Sequence, residues 1–307
     1  MSFSTTMSVQ LQMALMMGVG LLMRKLHLLE KSGMTSLTNI LVHILLPCNI
    51  LYAALQMDHS ALSALLWVFF ISIAQQSFTY GISLLLWRRY PREKKAVLRY
   101  CLQFSNCGFV GPPVVQSFFG AAALVYSAIY NAPINYFQWT VGCAPFMGGA
   151  NCSRRELWRR ILLHPCVISA CIGILFMFIA VPVPAFIENT LASFSNCLAG
   201  LSMLLVGGIL ADANVRGLFQ RDVVLVSLFR TLVVPLVIVL CTLPLPVPAF
   251  AVRTSAMLAG MPIGSMAAIL ALNYDCDDVL ASSCIVFSTV LSLFTIPVVY
   301  YGTMFLA

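Results

Sequence analysis

The chain has 307 residues, of which 61% are hydrophobic and 9% are charged, and its net charge is +7. This composition excludes a soluble globular domain and is typical of an integral membrane protein. The positive charge does not indicate a nucleic-acid partner, because most basic residues lie in short loops between long apolar segments.

Ten apolar segments follow one another along the chain, and each is long enough to cross about 30 Å of hydrocarbon as a helix. They cover residues 7–23, 36–57, 61–87, 96–119, 121–147, 161–181, 189–210, 222–243, 247–273 and 278–304. This all-α pattern predicts ten transmembrane helices. No basic residue precedes the first segment, so we expect a membrane anchor there rather than a signal peptide.

Lysine and arginine are concentrated in the loops after the first, third, fifth and seventh segments, for example Arg88, Arg89 and Arg92. These loops lie on one side of the membrane if every segment spans it. An excess of basic residues predicts that this side is cytoplasmic. We therefore expect both termini on the periplasmic or extracellular side.

The longest polar stretch, near residues 151–160, divides the chain into two halves of five segments each. An odd number of spans makes the second half enter the membrane from the opposite side. The sequence therefore predicts two inverted five-helix repeats, covering residues 1–150 and 151–307.

Two apolar segments contain helix-breaking residues at matching positions, with Pro112 and Pro262 lying 150 residues apart. The interruption in the fourth segment comprises Gly111, Pro112 and Pro113, and that in the ninth comprises Gly260, Met261, Pro262, Ile263 and Gly264. Proline removes a backbone hydrogen bond from a helix, and exposed backbone persists in a membrane only where it is buried in protein or lines a cavity. A single proline kink would be ordinary, but two glycine-flanked kinks in corresponding positions predict a transporter's binding site.

Each break exposes unpaired N–H groups, which attract carboxylates, and unpaired carbonyl groups, which can hold a cation. Asn106 lies shortly before the first break and could bind substrate or tie the break together. Asn131 and Asn135 share one helix face, with Gln138 three residues further on. Such a polar stripe faces a cavity or forms hydrogen bonds between helices.

Sodium coupling would need oxygen ligands rather than a carboxylate. Residues that could bind such an ion or support the substrate site are Ser105, Gln138, Asn49 and Ser265. Two arginines, Arg230 and Arg253, lie deeper in apolar segments than the other basic residues. We expect their charged groups to extend to a membrane interface, although either could attract an anion.

Several kinds of chemistry have no supporting motif in this chain. No Asp or Glu lies in the middle of an apolar segment, which argues against a proton antiporter that uses buried carboxylates. Motifs of a phosphate-binding loop, a zinc site and a hydrolase nucleophile are also missing. We therefore expect neither an enzyme nor a bound metal or cofactor, apart from a possible sodium ion.

Four stretches carry a resemblance to a known family: residues 39–47, residues 106–113 with Gln116 and Gly120, residues 261–264 and residues 288–297. Together they resemble the auxin efflux carrier family, which includes plant PIN-type carriers and bacterial members associated with malonate. The resemblance runs along nearly the whole chain. The short loop after the fifth segment resembles that of the bacterial members, which implies a bacterial inner membrane.

The resemblance implies a fold similar to that of bile-acid symporters and sodium/proton antiporters. Helices four and nine would cross at their prolines, with Asn106, Pro113 and Pro262 at the crossing. Helices 1, 2, 6 and 7 would form a scaffold that could also dimerise, and helices 3–5 and 8–10 would form a moving transport domain. Asn131 or Asn135 would contact the substrate carboxylate.

We therefore expect a secondary carrier of small organic anions, such as malonate, malate or auxin-like acids, that works by an elevator-type movement. The alternative is a membrane-embedded sensor that binds a ligand with the same fold and signals to a partner. Short loops offer such a partner little surface, which favours the carrier.

Overall fold

The computed structural model describes residues 3–55, 62–146, 163, 165–179, 183–213 and 217–304. Within these residues the regular structure is helical, apart from one isolated antiparallel bridge between Ser105 and Ile263. In chain order the helices are α1 (Phe3–Lys25), α2 (Lys31–Leu55), α3 (Leu62–Leu85), α4 (Arg92–Gln103), α5 (Gly111–Phe119), α6 (Ala123–Phe137), α7 (Pro165–Ile179), α8 (Ala185–Asp212), α9 (Arg221–Thr242), α10 (Ala249–Ala259), α11 (Met266–Asn273) and α12 (Asp278–Met304).

Every one of the ten predicted apolar segments contains helix. Among the described residues, six helices are long and apolar enough to cross a membrane, namely α1, α2, α3, α8, α9 and α12. Their number and composition are those of a multi-pass membrane protein. Single π-helical turns occur within α2 at Leu41–Leu45, within α9 at Phe229–Val233 and directly after α6 at Gln138–Gly142.

The fourth and ninth segments are each split into two short helices, as the glycine and proline residues predicted. Residues 104–110, the first unwound segment, separate α4 from α5, and residues 260–265, the second unwound segment, separate α10 from α11. The second lies where it was predicted, because Pro262 has no N–H with which to continue α10.

The predicted position of the first break was wrong by about one and a half helical turns, because the unwound segment lies directly before Gly111. Pro112 and Pro113 lie in the first turn of α5 rather than in unwound chain. Proline is favoured there, since the N–H that it lacks would have no partner inside the helix. The chain instead unwinds from Phe104, whose φ of −113° and ψ of 116° are those of an extended residue.

The helices form two groups by their mutual contacts. α1, α2, α7 and α8 pack on one another, and α3–α6 and α9–α12 pack among themselves. The groups meet mainly where α6 contacts α2 and α7. Between the groups, the cavity described below is lined from both sides.

Two glycines let α1 and α8 approach backbone to backbone. A Cβ added at Gly207 would overlap the carbonyl oxygen of Met17, and one added at Gly20 would overlap that of Leu204. Small residues at such contacts are typical of helix pairs in membranes. An ion pair of 2.9 Å between Arg24 and Asp212 joins the ends of the same two helices.

The opposite face of α1 is apolar and points away from the bundle. It exposes Leu11, Leu15, Val19 and Leu22, which recur every three or four residues. In a bilayer this face meets hydrocarbon, so its exposure carries no hydrophobic penalty.

Candidate functional site

The two unwound segments are paired directly with each other. The Asn106 N–H donates to the Pro262 carbonyl at 2.6 Å, and the Gly264 N–H donates to the Phe104 carbonyl at 3.1 Å. These bonds flank the antiparallel bridge between Ser105 and Ile263. Without them, four backbone groups would be left unpaired where water is scarce, at a cost of several kcal/mol each. Each break is therefore stabilised by the other.

Ser288 on α12 forms a hydrogen bond to the backbone of the second unwound segment. The Ser288 hydroxyl accepts a hydrogen bond from the Ile263 N–H at 3.0 Å and donates one to the Ile285 carbonyl at 3.1 Å. Ser288 lies in the fourth stretch that carries the family resemblance, but its role was not predicted. Only the tertiary structure brings it to residue 263.

Asn131 on α6 holds the first unwound segment. Its Nδ2 donates to the Cys107 carbonyl at 3.0 Å and to the Ser127 carbonyl at 2.9 Å, and its Oδ1 accepts from the Cys107 thiol at 2.8 Å. Both amide hydrogens and the amide oxygen therefore have protein partners. Asn135, one turn further along α6, makes no side-chain hydrogen bond with another described residue.

A cavity of about 360 Å³ lies beside the paired segments. This volume is in the range of pockets that bind small molecules. α2 and α8 supply a mostly apolar wall with Val42, Leu46, Leu205 and Ile209, while the facing wall, called the polar wall below, combines apolar residues with most of the polar groups. The residues predicted from the sequence that line it are Asn49, Ser105, Asn106, Pro112, Asn131, Asn135, Gln138, Gly264 and Ser265.

The other five predicted residues are buried and do not line this cavity. They are Gly111, Pro113, Met261, Pro262 and Ile263. Their contribution is structural: they begin α5 or form the contact between the two unwound segments. Gly111 is also sterically restricted, because an added Cβ would approach the Leu258 side chain to 2.9 Å.

Asn49 on α2 is a buried amide without a protein partner. Its side chain is fully buried, and neither Nδ2 nor Oδ1 has a hydrogen-bond partner in the described part of the chain. An unsatisfied buried amide costs about 1–3 kcal/mol per lost bond. Asn49 belongs to the cavity lining, but neither amide atom is open to it, so a polar occupant would remove this cost only after the side chain turned toward the cavity.

Backbone N–H groups add further donors to the polar wall. The Asn106 carbonyl accepts from the N–H groups of Val110 at 3.0 Å and Gly111 at 3.3 Å, which closes a helical turn before α5. The N–H groups at the start of that turn, those of Cys107, Gly108 and Phe109, have no partner among the described residues. All three residues line the cavity.

The start of α11 provides a second set of free donors. The N–H groups of Ser265 and Met266 have no partner within the described ranges, and both residues line the same cavity. Such helix N-termini attract anions. No charged side chain belongs to the described lining, so nothing there would repel a negative charge.

The expected position of Arg230 was wrong. Its side chain does not extend to an interface but is fully buried in the π-helical turn of α9. Its three guanidinium nitrogens have no hydrogen-bond partner among the described residues. The sequence did contain a signal for a functional role of Arg230, because a charged residue in the middle of an apolar segment indicates function. Arg253 on α10 is only partly buried.

A multi-pass helical fold, with two interrupted helices meeting at a cavity of small-molecule size, defines a membrane transporter. Residues 5–300 match the membrane transport protein family. The chain belongs to this family, that of the auxin efflux carriers, as the sequence resemblance indicated. It is therefore a transporter and not an enzyme. It is also similar to an uncharacterized transporter of Methanothermobacter thermautotrophicus, with 26% identity over 303 residues that cover 97% of this chain and 98% of the relative.

Proposed function

We propose that this transporter is a secondary carrier of small organic anions with carboxylate groups, such as malonate, malate or auxin-like acids. The observation that carries this proposal is the cavity wall, which offers free N–H groups and amides, while the described lining residues include no acidic side chain. An ionised carboxylate only accepts hydrogen bonds, so it matches a wall rich in unpaired donors. Asn106, Asn135 and Gln138 line the cavity with amide groups that have no partner among the described residues, and these groups are available to it.

The proposed architecture is ten transmembrane helices in two inverted five-helix repeats, residues 1–150 and 151–307. Two features support it: each half contains one interrupted segment, and the two interruptions pair antiparallel. A two-fold relation between the halves would produce such a pairing. We further propose a bacterial inner-membrane location with both termini periplasmic, from the distribution of basic loops.

The proposed mechanism is an elevator movement of α3–α6 and α9–α12 against a scaffold of α1, α2, α7 and α8. The sparse contacts between the two helix groups support it. The apolar residues of α2 and α8 at the cavity would let the polar wall slide past without breaking hydrogen bonds. The scaffold would also form a homodimer.

Two driving forces for transport are compatible with this mechanism: the membrane potential and a sodium gradient. A membrane potential, negative inside, would expel an anion with about 2.3 kcal/mol per charge at 100 mV. Uptake against it would need a coupling ion such as sodium, which oxygen atoms of Asn49, Ser105, Gln138 or Ser265 could bind without a carboxylate.

Flux measurements with purified protein test the proposal. Proteoliposomes are loaded with labelled malonate, malate or indole acetate, and uptake and efflux are followed under imposed potentials and sodium gradients. We expect saturable flux of at least one of these acids. Saturable binding without flux would instead identify a sensor, and neither binding nor flux of any of the three would contradict the anion assignment.

Single-residue variants then test whether the substrate binds in the cavity. Asn106→Ala should reduce flux at unchanged expression, because its amide lines the cavity and makes no hydrogen bond with another described residue. Asn39→Ala is the matched control, since Asn39 is exposed on α2 and does not line the cavity. Full activity of Asn106→Ala would remove this residue from the site.

A further inference from the structure

Arg230 is a permanent positive charge in the interior of the protein, and no acidic side chain among the described residues pairs with it. An arginine side chain stays protonated in proteins and carries five N–H donors. Here Nε and both terminal nitrogens are buried and unpaired among the described residues. The ion pair found among the described residues joins Arg24 to Asp212 and does not involve Arg230. An uncompensated buried charge is strongly destabilising. Stability of the fold therefore does not explain why an arginine occupies this position, and we look for a role in function.

Arg230 and the next residue, Thr231, lie near the two unwound segments. It lies close enough to Cys107 of the first segment and to Tyr130 on α6 for electrostatic interaction. The next residue, Thr231, has its carbonyl oxygen 3.4 Å from the position of a Cβ added at Gly260, the first residue of the second segment. Cys107 itself lines the cavity, whereas Arg230 does not. The guanidinium is therefore not part of the cavity lining.

Neighbouring polar groups do not neutralise this charge. The Tyr130 hydroxyl donates to Gln75 Oε1 at 2.8 Å and is not ionised. The π-helical turn that carries Arg230 packs against α4, whose carbonyl end bears a partial negative charge. This dipole offsets part of a unit charge, but a helix end carries only about half a charge and makes no bond to Arg230 here.

We propose that Arg230 is a positioning residue that stabilises the bound substrate anion through its electric field, without touching it. This inference rests on the proposed anion transport and adds to it the source of the positive charge. The carboxylate, held by the N–H groups near Cys107, would be the missing counter-charge of Arg230. The site would then be completed electrostatically only when substrate is bound.

The expected size of the effect follows from Coulomb's law. One pair of charges about 10 Å apart, at an effective dielectric constant of about 20, changes a binding constant by about tenfold. A dianion gains more from the same cation than a monoanion. Arg230 should therefore favour substrates with two carboxylates.

The transport test compares malonate with malonamate, which replaces one of the two carboxylates by an amide and so has one charge fewer. Arg230→Gln should raise the KM for malonamate about tenfold and that for malonate, which carries two charges, by more, whereas Arg230→Lys should keep most of the affinity for both. Arg253→Gln is the matched control, because it removes a partly buried arginine on α10 and should change neither KM. Equal KM values in wild type and Arg230→Gln would overturn the proposal.

A stability test separates this role from a purely structural one. If Arg230 is an unpaired charge kept for substrate, Arg230→Met should raise the thermal unfolding midpoint of the empty protein by several degrees while it weakens malonate transport. A lower midpoint, together with equal losses for malonate and malonamate, would show a structural role and contradict the proposal. A wild type that transports neither acid would instead refute the anion carrier, and with it the role of Arg230.

Discussion

The backbone N–H of Asn106 donates a 2.6 Å hydrogen bond to the carbonyl of Pro262, and this bond joins the two halves of the chain at the cavity. Neither half can therefore build the polar wall alone. Because each unwound segment satisfies backbone groups of the other, separating them would leave those groups unpaired. In any movement that preserves these bonds, α4, α5, α10 and α11 must travel together.

Asn131 and Asn135 should separate stability from binding. Asn131→Ala removes one donated and one accepted bond that hold Cys107, and a second donated bond to the Ser127 carbonyl, so it should lower the free energy of unfolding by about 1–3 kcal/mol. Asn135→Ala removes an amide that has no hydrogen-bond partner in the described part of the chain, so it should reduce carboxylate affinity and leave stability nearly unchanged. Thermal unfolding and flux assays on both variants check this; a destabilised Asn135→Ala with normal transport would reverse the two roles.

Ser288→Ala should weaken the second unwound segment. The change leaves the Ile263 N–H, which is fully buried, without its acceptor and should cost about 1–3 kcal/mol. Ser292→Ala is the matched control on α12, since the Ser292 hydroxyl only donates to the Thr289 carbonyl within the same helix. Equal shifts of the unfolding midpoint in the two variants would contradict the role given to Ser288.

Asn49→Leu should make the protein more stable and less active. It replaces a buried amide with two unsatisfied atoms by an apolar side chain of similar size, which should increase the free energy of unfolding by about 1–3 kcal/mol. Carboxylate flux should fall, because one cavity amide is lost. The control, Asn39→Leu, changes an exposed position on the same helix. If Asn49→Leu instead lowers the free energy of unfolding, the Asn49 amide must be hydrogen-bonded in the wild-type protein, and the prediction is wrong.

Two glycines on α8 should respond to alanine with opposite signs. Gly207→Ala forces a methyl group against the Met17 carbonyl and should destabilise the α1–α8 pair by about 1–3 kcal/mol. Gly200→Ala adds its methyl group where no atom lies within 4 Å and should stabilise the helix by up to about 1 kcal/mol. The unfolding midpoints in detergent check both, and a stabilising Gly207→Ala would show that the two helices can move apart.

The sequence by itself determined the membrane class, the helical segments, the two interrupted segments and the family. These follow from local properties: apolar length, the missing N–H of proline, and short motifs. It also pointed to the polar residues of the cavity wall, although their role in binding stays a prediction. The position predicted for the first break was wrong, because a pair of prolines can either interrupt a helix or begin one. Which of the two occurs depends on the hydrogen-bond partners of the backbone before the prolines.

Only the tertiary structure decided which of these residues have partners. Asn131 and Asn49 are the same residue type in similar apolar contexts, yet one makes three hydrogen bonds and the other makes none with described residues. Likewise, the burial of Arg230 depends on the helices packed around α9 and not on its neighbours in the chain. Hydrogen bonding and desolvation are set by groups distant in sequence, so they emerge only when the two halves meet.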